Sequence, residues 1–344
     1  MPKIIINLPL ELERRIRAKI QAGIYESIDH FVRIALENQV FAEENEGSSW
    51  PNIVTESPSK QILPQQSRNQ LQSVTLPIEL EPQLLNAPED SMLSGIFLWG
   101  QFYRFLPVKP ALRVLAYQSQ KTLPPLATFK EAACDVAQTI GSLLSNEDKR
   151  LGRKSGEKYS TSFPEPTVKS RRRYTEQYLV YVRTSDGKLD GMLACLKLIN
   201  VTKDAGVYKV GLTEQGIKFA RLPNPLLDSE TKGAPLSEEE TSFLIEHITK
   251  NLPNEALHMK VMLQLLYEGV TSRTELNSKM TNFYLKYKGY NNWSPAHINT
   301  MRAGLLSRMV EMGLIQKTKI GLEVKYRLSE RGEKALNEEL SGVN

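Results

Sequence analysis

Two stretches, Leu189–Ile199 (LDGMLACLKLI) and Leu305–Ile315 (LLSRMVEMGLI), decide how the chain is read, because each runs into the same ending. That ending is Leu212–Lys218 (LTEQGIK) after the first and Leu328–Lys334 (LSERGEK) after the second. Sliding the sequence by 116 positions superposes both pairs without a gap, so Leu193 meets Met309, Leu196 meets Met312, Gly216 meets Gly332 and Lys218 meets Lys334. Each copy predicts helix, strand, turn, strand, helix. In the first, strands at Leu198–Val201 and Val207–Leu212 flank a turn through Gly206, and Thr213 caps the closing helix. In the second, a strand from Leu314 and another at Leu322–Leu328 flank Gly321, and Ser329 is the cap. Tyr208 lies four residues before Leu212 whereas Tyr326 lies two before Leu328, which leaves room for a different hairpin register in the two copies.

Upstream of each ending lies a candidate first helix, Pro110–Ser119 and Glu255–Tyr267, then a second at Thr128–Leu144 and Ser272–Met280. Aligning Tyr117 with Tyr267 shifts the offset to 150, so the first copy carries about 34 extra residues before its last helix. Between Lys149 and Lys188 this insertion holds eleven Lys or Arg against four acids, interleaved with Tyr159, Tyr174, Tyr178 and Tyr181. Its SRRRYTEQY stretch fits helix and strand equally. Charge runs are usually solvated loops, yet this density beside a repeated helical fold points to nucleic-acid contact through Lys169, Arg171, Arg172 and Arg173. Glu238–Glu240 after Ser237 read as a helix start favoured by the macrodipole.

The first 43 residues form a different unit. Lys3–Leu8 (KIIINL) is β-rich and ends at Pro9, which suits the first turn of a helix. Leu12, Ile16 and Ile20 then recur at helical spacing up to Gly23, and Ser27 caps a second apolar stripe of Ile28, Phe31, Val32, Ala35 and Leu36. One strand and two helices give too small a core to fold alone, so the unit must pair with a second copy. Residues 44–90 are rich in Ser, Gln and Pro without a lasting period and read as a disordered linker with a reach on the order of 35 to 40 Å.

Composition narrows the function. The 344 residues are 40% hydrophobic and 24% charged with a net charge of +5, which suits a folded protein of two or three domains and permits nucleic-acid binding. No apolar run is long enough to span a bilayer and the N-terminus lacks a signal-peptide core, so a cytoplasmic location with no membrane partner is expected. Cys134 and Cys195 read as reduced, inert thiols. The four histidines are scattered, with no metal spacing, nucleophile elbow or phosphate loop. The sequence therefore reads as a non-enzyme without metal or cofactor.

The N-terminal KIIINLPLELERRIRAKIQAGIYESIDHFVRIALENQ resembles the ribbon-helix-helix family of bacterial and phage DNA-binding proteins. That resemblance implies a homodimer whose paired strands lie in the major groove of double-stranded DNA. Ile4, Ile6 and Leu8 would cover the helices, leaving Lys3, Ile5 and Asn7 toward the bases and Ser27 at a helix start toward a phosphate. Ile5 departs from the polar residue usual there. The two repeats resemble winged-helix domains, a helix-turn-helix variant, which gives a fold class of mainly α with small β. The resemblance makes Ser294–Met312 a recognition helix, with His297, Asn299, Thr300, Arg302 and Arg308 as candidates for its outer face, and Lys317, Lys319 and Lys325 on the wing. The expected organisation is 1–43 ribbon-helix-helix, 44–90 linker, 91–228 winged helix with the basic insertion, and 236–340 second winged helix. The expected function is sequence-preferring DNA binding by a dimeric transcriptional regulator. A plasmid or mobile-element maintenance or defence adaptor uses the same contacts, and a protein-interaction scaffold would use the ribbon only to dimerise and the rest to hold a protein partner.

Overall fold

A computed structural model of the chain describes Glu13, Arg14, Arg17, Ile28 and residues 80–154, 156–228, 234–286, 293–320 and 323–343. The chain divides into two units, Met1–Val54 and Thr55–Asn344. In the first, Glu13, Arg14, Arg17 and Ile28 are helical and the Arg17 guanidinium donates to Glu13 Oε1 at 2.7 Å, an i, i+4 pair. The expected ribbon residues Lys3, Ile5 and Asn7, the cap Ser27 and most of the expected linker lie outside the described residues.

The second unit is mainly helical with small antiparallel sheets. Its elements are α1 (Val108–Gln118), α2 (Leu126–Arg150), α3 (Val168–Arg173) continued by a π turn (Tyr174–Leu179), β1 (Tyr181–Val182), β2 (Leu189–Asp190), α4 (Met192–Cys195), β3 (Ile199–Asp204), β4 (Val207–Leu212) and α5 (Glu214–Arg221). Then follow α6 (Glu238–Asn251), α7 (Pro253–Tyr267), α8 (Arg273–Tyr284), α9 (Pro295–Glu311), β5 (Ile315–Ile320), β6 (Glu323–Leu328) and α10 (Glu330–Lys334). Among the described residues no helix is long and apolar enough to cross a membrane.

The internal repeat is a repeat of hydrogen bonds as well as of letters. Ile199 pairs with Leu212 and Ile315 with Leu328, so the two hairpins share one register. Tyr326 therefore occupies the place of Val210, and both are buried because register, not residue type, sets which side faces the core. Thr213 N donates to Leu198 O at 3.0 Å and Ser329 N to Leu314 O at 3.1 Å. Each cap hydroxyl then accepts from the amide three residues on, at Gly216 and Gly332. A Cβ on either glycine would fall within 1.9 or 2.1 Å of those same carbonyl oxygens, so the closing helix can sit on its hairpin only where that residue is Gly. A single β-bridge meets each hairpin at the same place: Pro125 bridges to Lys209, and Ser272 to Lys325.

One point the sequence reading left open and two departures from it have local causes. SRRRYTEQY is helical: Thr167 caps α3 by accepting from Ser170 N, and the π turn stacks Tyr174 on Tyr178 inside the core. The last helix of the first copy shrinks to the four buried residues of α4, because the insertion delivers the chain through the β1–β2 hairpin instead of a full helix. The expected linker ends early. Leu85 N donates to Leu212 O and Gln83 N to Ser119 O, both at 2.8 Å, so residues from Leu80 onward are built into the second unit by using free backbone groups at the β4 edge.

The two copies, expected as separate domains, share this one unit. α6 starts with a full capping box, Ser237 with Glu240. The Glu240 carboxylate also pairs at 2.7 Å with Lys109 of α1, both side chains being fully buried. Lys109 Nζ donates further to Phe219 O and Leu222 O. Burial pushes this lysine down to about 8, against the carboxylate that holds its charge.

Candidate functional site

Ser294 caps α9 and Pro295 occupies its first turn, so the helix begins where the sequence places it. Its surroundings differ from those of an open recognition helix. The apolar segment Phe97–Leu106 (FLWGQFYRFL) lies along one side, and between 297 and 311 no α9 side chain is exposed. Arg302 and Arg308, expected on the outer face, are fully buried. The physical reason is that both find interior partners. Arg302 donates through Nε to Asn277 Oδ1 and through Nη2 to Asn299 Oδ1 at 2.6 Å. Arg308 pairs at 2.7 Å with Glu255 and donates to Phe102 O at 2.8 Å and to Trp99 O. His297, Asn299 and Thr300 are half-buried.

Glu255 anchors the covering segment. Its second oxygen accepts from Leu98 N at 3.0 Å and faces His258 Nδ1, while Tyr284 Oη donates to His258 Nε2. Burial works to raise the Glu255 carboxyl, but the Arg308 charge and the His258 hydrogen bond outweigh it and hold it down at about 2. Glu311, one turn beyond Arg308, accepts from Phe105 N and Leu106 N. Here burial wins over the Arg104 charge and the backbone donors and pushes the carboxyl up to about 7.

A raised carboxyl favours the folded state only while it is protonated. Its contribution is complete below the unfolded value near 4.5 and is lost as pH rises through 7. Relative to the parent, Glu311→Gln should therefore gain about 3 kcal/mol of unfolding free energy between pH 4 and pH 8. Urea titrations at several pH values measure this, and a parallel pH dependence in both proteins would refute the assignment.

The basic insertion is ordered around one acid. Asp148, buried at the end of α2, accepts from Tyr159 N, Ser160 N and Ser160 Oγ and pairs with Arg153, whose guanidinium lies over the Tyr159 ring. Those hydrogen bonds hold its carboxyl below the usual range in spite of burial. At least five of the eleven cations face acids: Arg150 with Glu147, Arg153 with Asp148, Arg171 with Asp135, Arg172 with Glu176 and Arg183 with Asp186. The insertion is thus less positive than its sequence count. Lys149, Lys154, Lys158, Lys169 and Arg173 are exposed to solvent along the α2 end, the loop and α3. On the second hairpin Lys317 and Arg327 are exposed and Lys325 is half-buried beside Ser272; Lys319 belongs to β5.

Between α9, the covering segment and the insertion lies a cleft of about 580 Å³. Trp99, Tyr181, Trp293 and Met301 line it with Gln177 and Asp190. His297 is the only sequence-selected residue there; its ring sits 4.6 Å from Trp99 and 4.3 Å from Trp293, centroid to centroid. Tyr181 and Arg183 were noted only as part of the basic insertion, and Trp99, Trp293, Met301, Gln177 and Asp190 were missed by the sequence reading. The available signal was the aromatic density of Phe97–Phe105, too rich for a solvent-facing connection. Among the described residues no three His, Cys, Asp or Glu side chains group as metal ligands would. Cys134 and Cys195 are both buried, and burial raises both thiols. No family model, curated protein or solved structure matches the chain.

Proposed function

We propose that the chain is a dimeric double-stranded DNA-binding protein, acting in transcription regulation, with an N-terminal ribbon-helix-helix and a body of two fused winged-helix units. The observation that carries the reading is the duplicated order of helix, single bridging residue, helix, helix and hairpin, closed by the same cap and the same glycine. The buried state of α9 changes how the body would contact DNA. A helix with no exposed side chain past its first turn cannot read base edges, so the body contributes phosphate contacts, through the exposed cations of the insertion and of the second hairpin. Sequence preference is left to Lys3, Ile5 and Asn7 of the ribbon. Joining a weakly charged reader to a phosphate-binding body raises affinity through effective concentration.

Fluorescence anisotropy of the full chain on labelled duplex across a salt series tests this. The triple variant Lys149→Ala, Lys154→Ala, Lys158→Ala should weaken binding to every sequence alike and lower the log–log salt slope by about 0.9 for each phosphate it no longer neutralises. Asn7→Ala should instead erode preference among sequences. Duplex binding that shows no salt dependence in the parent would overturn the reading.

The closed-in α9 also favours one second reading, a scaffold in which the ribbon dimerises the chain and the repeats hold a protein partner. Its signature is a dimer in solution without salt-dependent DNA binding.

A further inference from the structure

We propose that the cleft beside α9 binds a nucleobase that carries an amino group, either as a free nucleoside or as an unstacked base of a single strand. This does not rest on duplex binding. Three features select that occupant. First, Trp99 and Trp293 both touch His297, which makes a continuous aromatic wall, with the half-exposed Tyr181 ring also lining the space. A flat heterocycle lies against such a wall, and stacking on aromatic side chains is worth about 1–3 kcal/mol per base. A quaternary ammonium over one ring face is the competing occupant, and displacement by tetramethylammonium separates the two.

Second, two acceptors lining the cleft are unmet. Asp190 Oδ1 accepts from Gly191 N at 2.7 Å, while Oδ2 has no partner among the described residues. Gln177 gives one amide N–H to Gln101 Oε1 at 2.8 Å, and its carbonyl oxygen is left to accept. A ligand that satisfies both must bring N–H donors on one edge, as guanine does with N1–H and its amino group, and adenine with its amino group. Third, the charges at the rim are balanced in sign, Glu176 facing Arg172 at 3.0 Å and Arg183 facing Asp186 at 3.4 Å. The Asp190 carboxylate disfavours an anion inside the cleft, so the group recognised there is the base. Its volume falls in the range of small-molecule sites and exceeds what a single ring system needs.

The test is tryptophan fluorescence of the full chain in a Trp50→Phe background, so that emission comes from Trp99 and Trp293 alone. Guanosine and adenosine should each quench saturably. Asp190→Asn, which turns the open acceptor into a donor while keeping the bond to Gly191, should weaken binding about 10-fold or more, and Tyr181→Ala several-fold, with unchanged thermal melting in both. A single-stranded oligodeoxyadenylate that binds more tightly than adenosine identifies the single strand as the source; equal or weaker binding identifies the free nucleoside. The proposal is overturned if neither nucleosides nor oligonucleotide quench saturably, if both variants bind like the parent, or if tetramethylammonium displaces the nucleoside.

Discussion

Arg308→Ala should cost about 3–5 kcal/mol of unfolding free energy, among the largest losses available to a single change in the second unit. The guanidinium is fully buried, its carboxylate partner Glu255 is equally buried, and two carbonyl oxygens of the covering segment depend on it. Removing the cation leaves Glu255 charged in the interior with only Leu98 N and His258 to hold it. The carboxyl, held at about 2 in the parent, must then rise, so the deficit shrinks as pH falls and the variant's acid is protonated. At pH 4 the difference between variant and parent should be visibly smaller than at pH 7. Adding Glu255→Gln to Arg308→Ala should recover part of the loss, because the uncompensated charge goes with it. Denaturant unfolding of the parent, the two single variants and the double variant gives the coupling directly. A single-variant cost under about 1 kcal/mol would mean that the pair contributes nothing beyond surface electrostatics.

These buried charges also mark where the sequence could and could not be read. The repeat was legible because everything that specifies it is local: a Leu to plug the core, a Thr or Ser to cap, a Gly where the helix meets its hairpin. Each acts within four residues of the next, so letters and structure correspond. The position of α9 was not legible, since Arg302 and Arg308 carry the usual mark of a solvent face. What cancels that mark is Glu255, distant in sequence, together with backbone carbonyls that no letter encodes. The insertion was misjudged for a related reason. Its cations were counted against acids inside the same forty residues, whereas Arg150, Arg153 and Arg171 find theirs on α2, at Glu147, Asp148 and Asp135. A local charge tally holds only for a segment that stays away from its neighbours.

The second large effect belongs to Gly304, where α9 and the covering segment meet backbone to backbone. A Cβ built there would lie 2.0 Å from Gly100 O, and one built on Gly100 would lie 2.4 Å from Thr300 O. Helix propensity alone would make Gly304→Ala stabilising by about 1 kcal/mol. The clash reverses the sign, because the atom in the way is a carbonyl oxygen fixed in a segment already pinned by Glu255, Arg308 and Glu311, and no rotamer change relieves it. Gly304→Ala is therefore expected to cost about 3 kcal/mol or more and to move the segment off the helix. That movement opens the wall of the cleft, so Trp99 emission should shift to the red before global unfolding. Gly269→Ala is the matched control: its φ of +87° strains any side chain, but nothing lies within 4 Å of the added carbon, so the cost should be only about 1 kcal/mol with Trp99 unchanged. Equal losses in the two variants would show that the segment gives way at little cost, so that close approach at Gly304 does not hold it to α9. A loss confined to Gly304, with the tryptophan shift, would show that the two copies are held together by a contact only glycine permits.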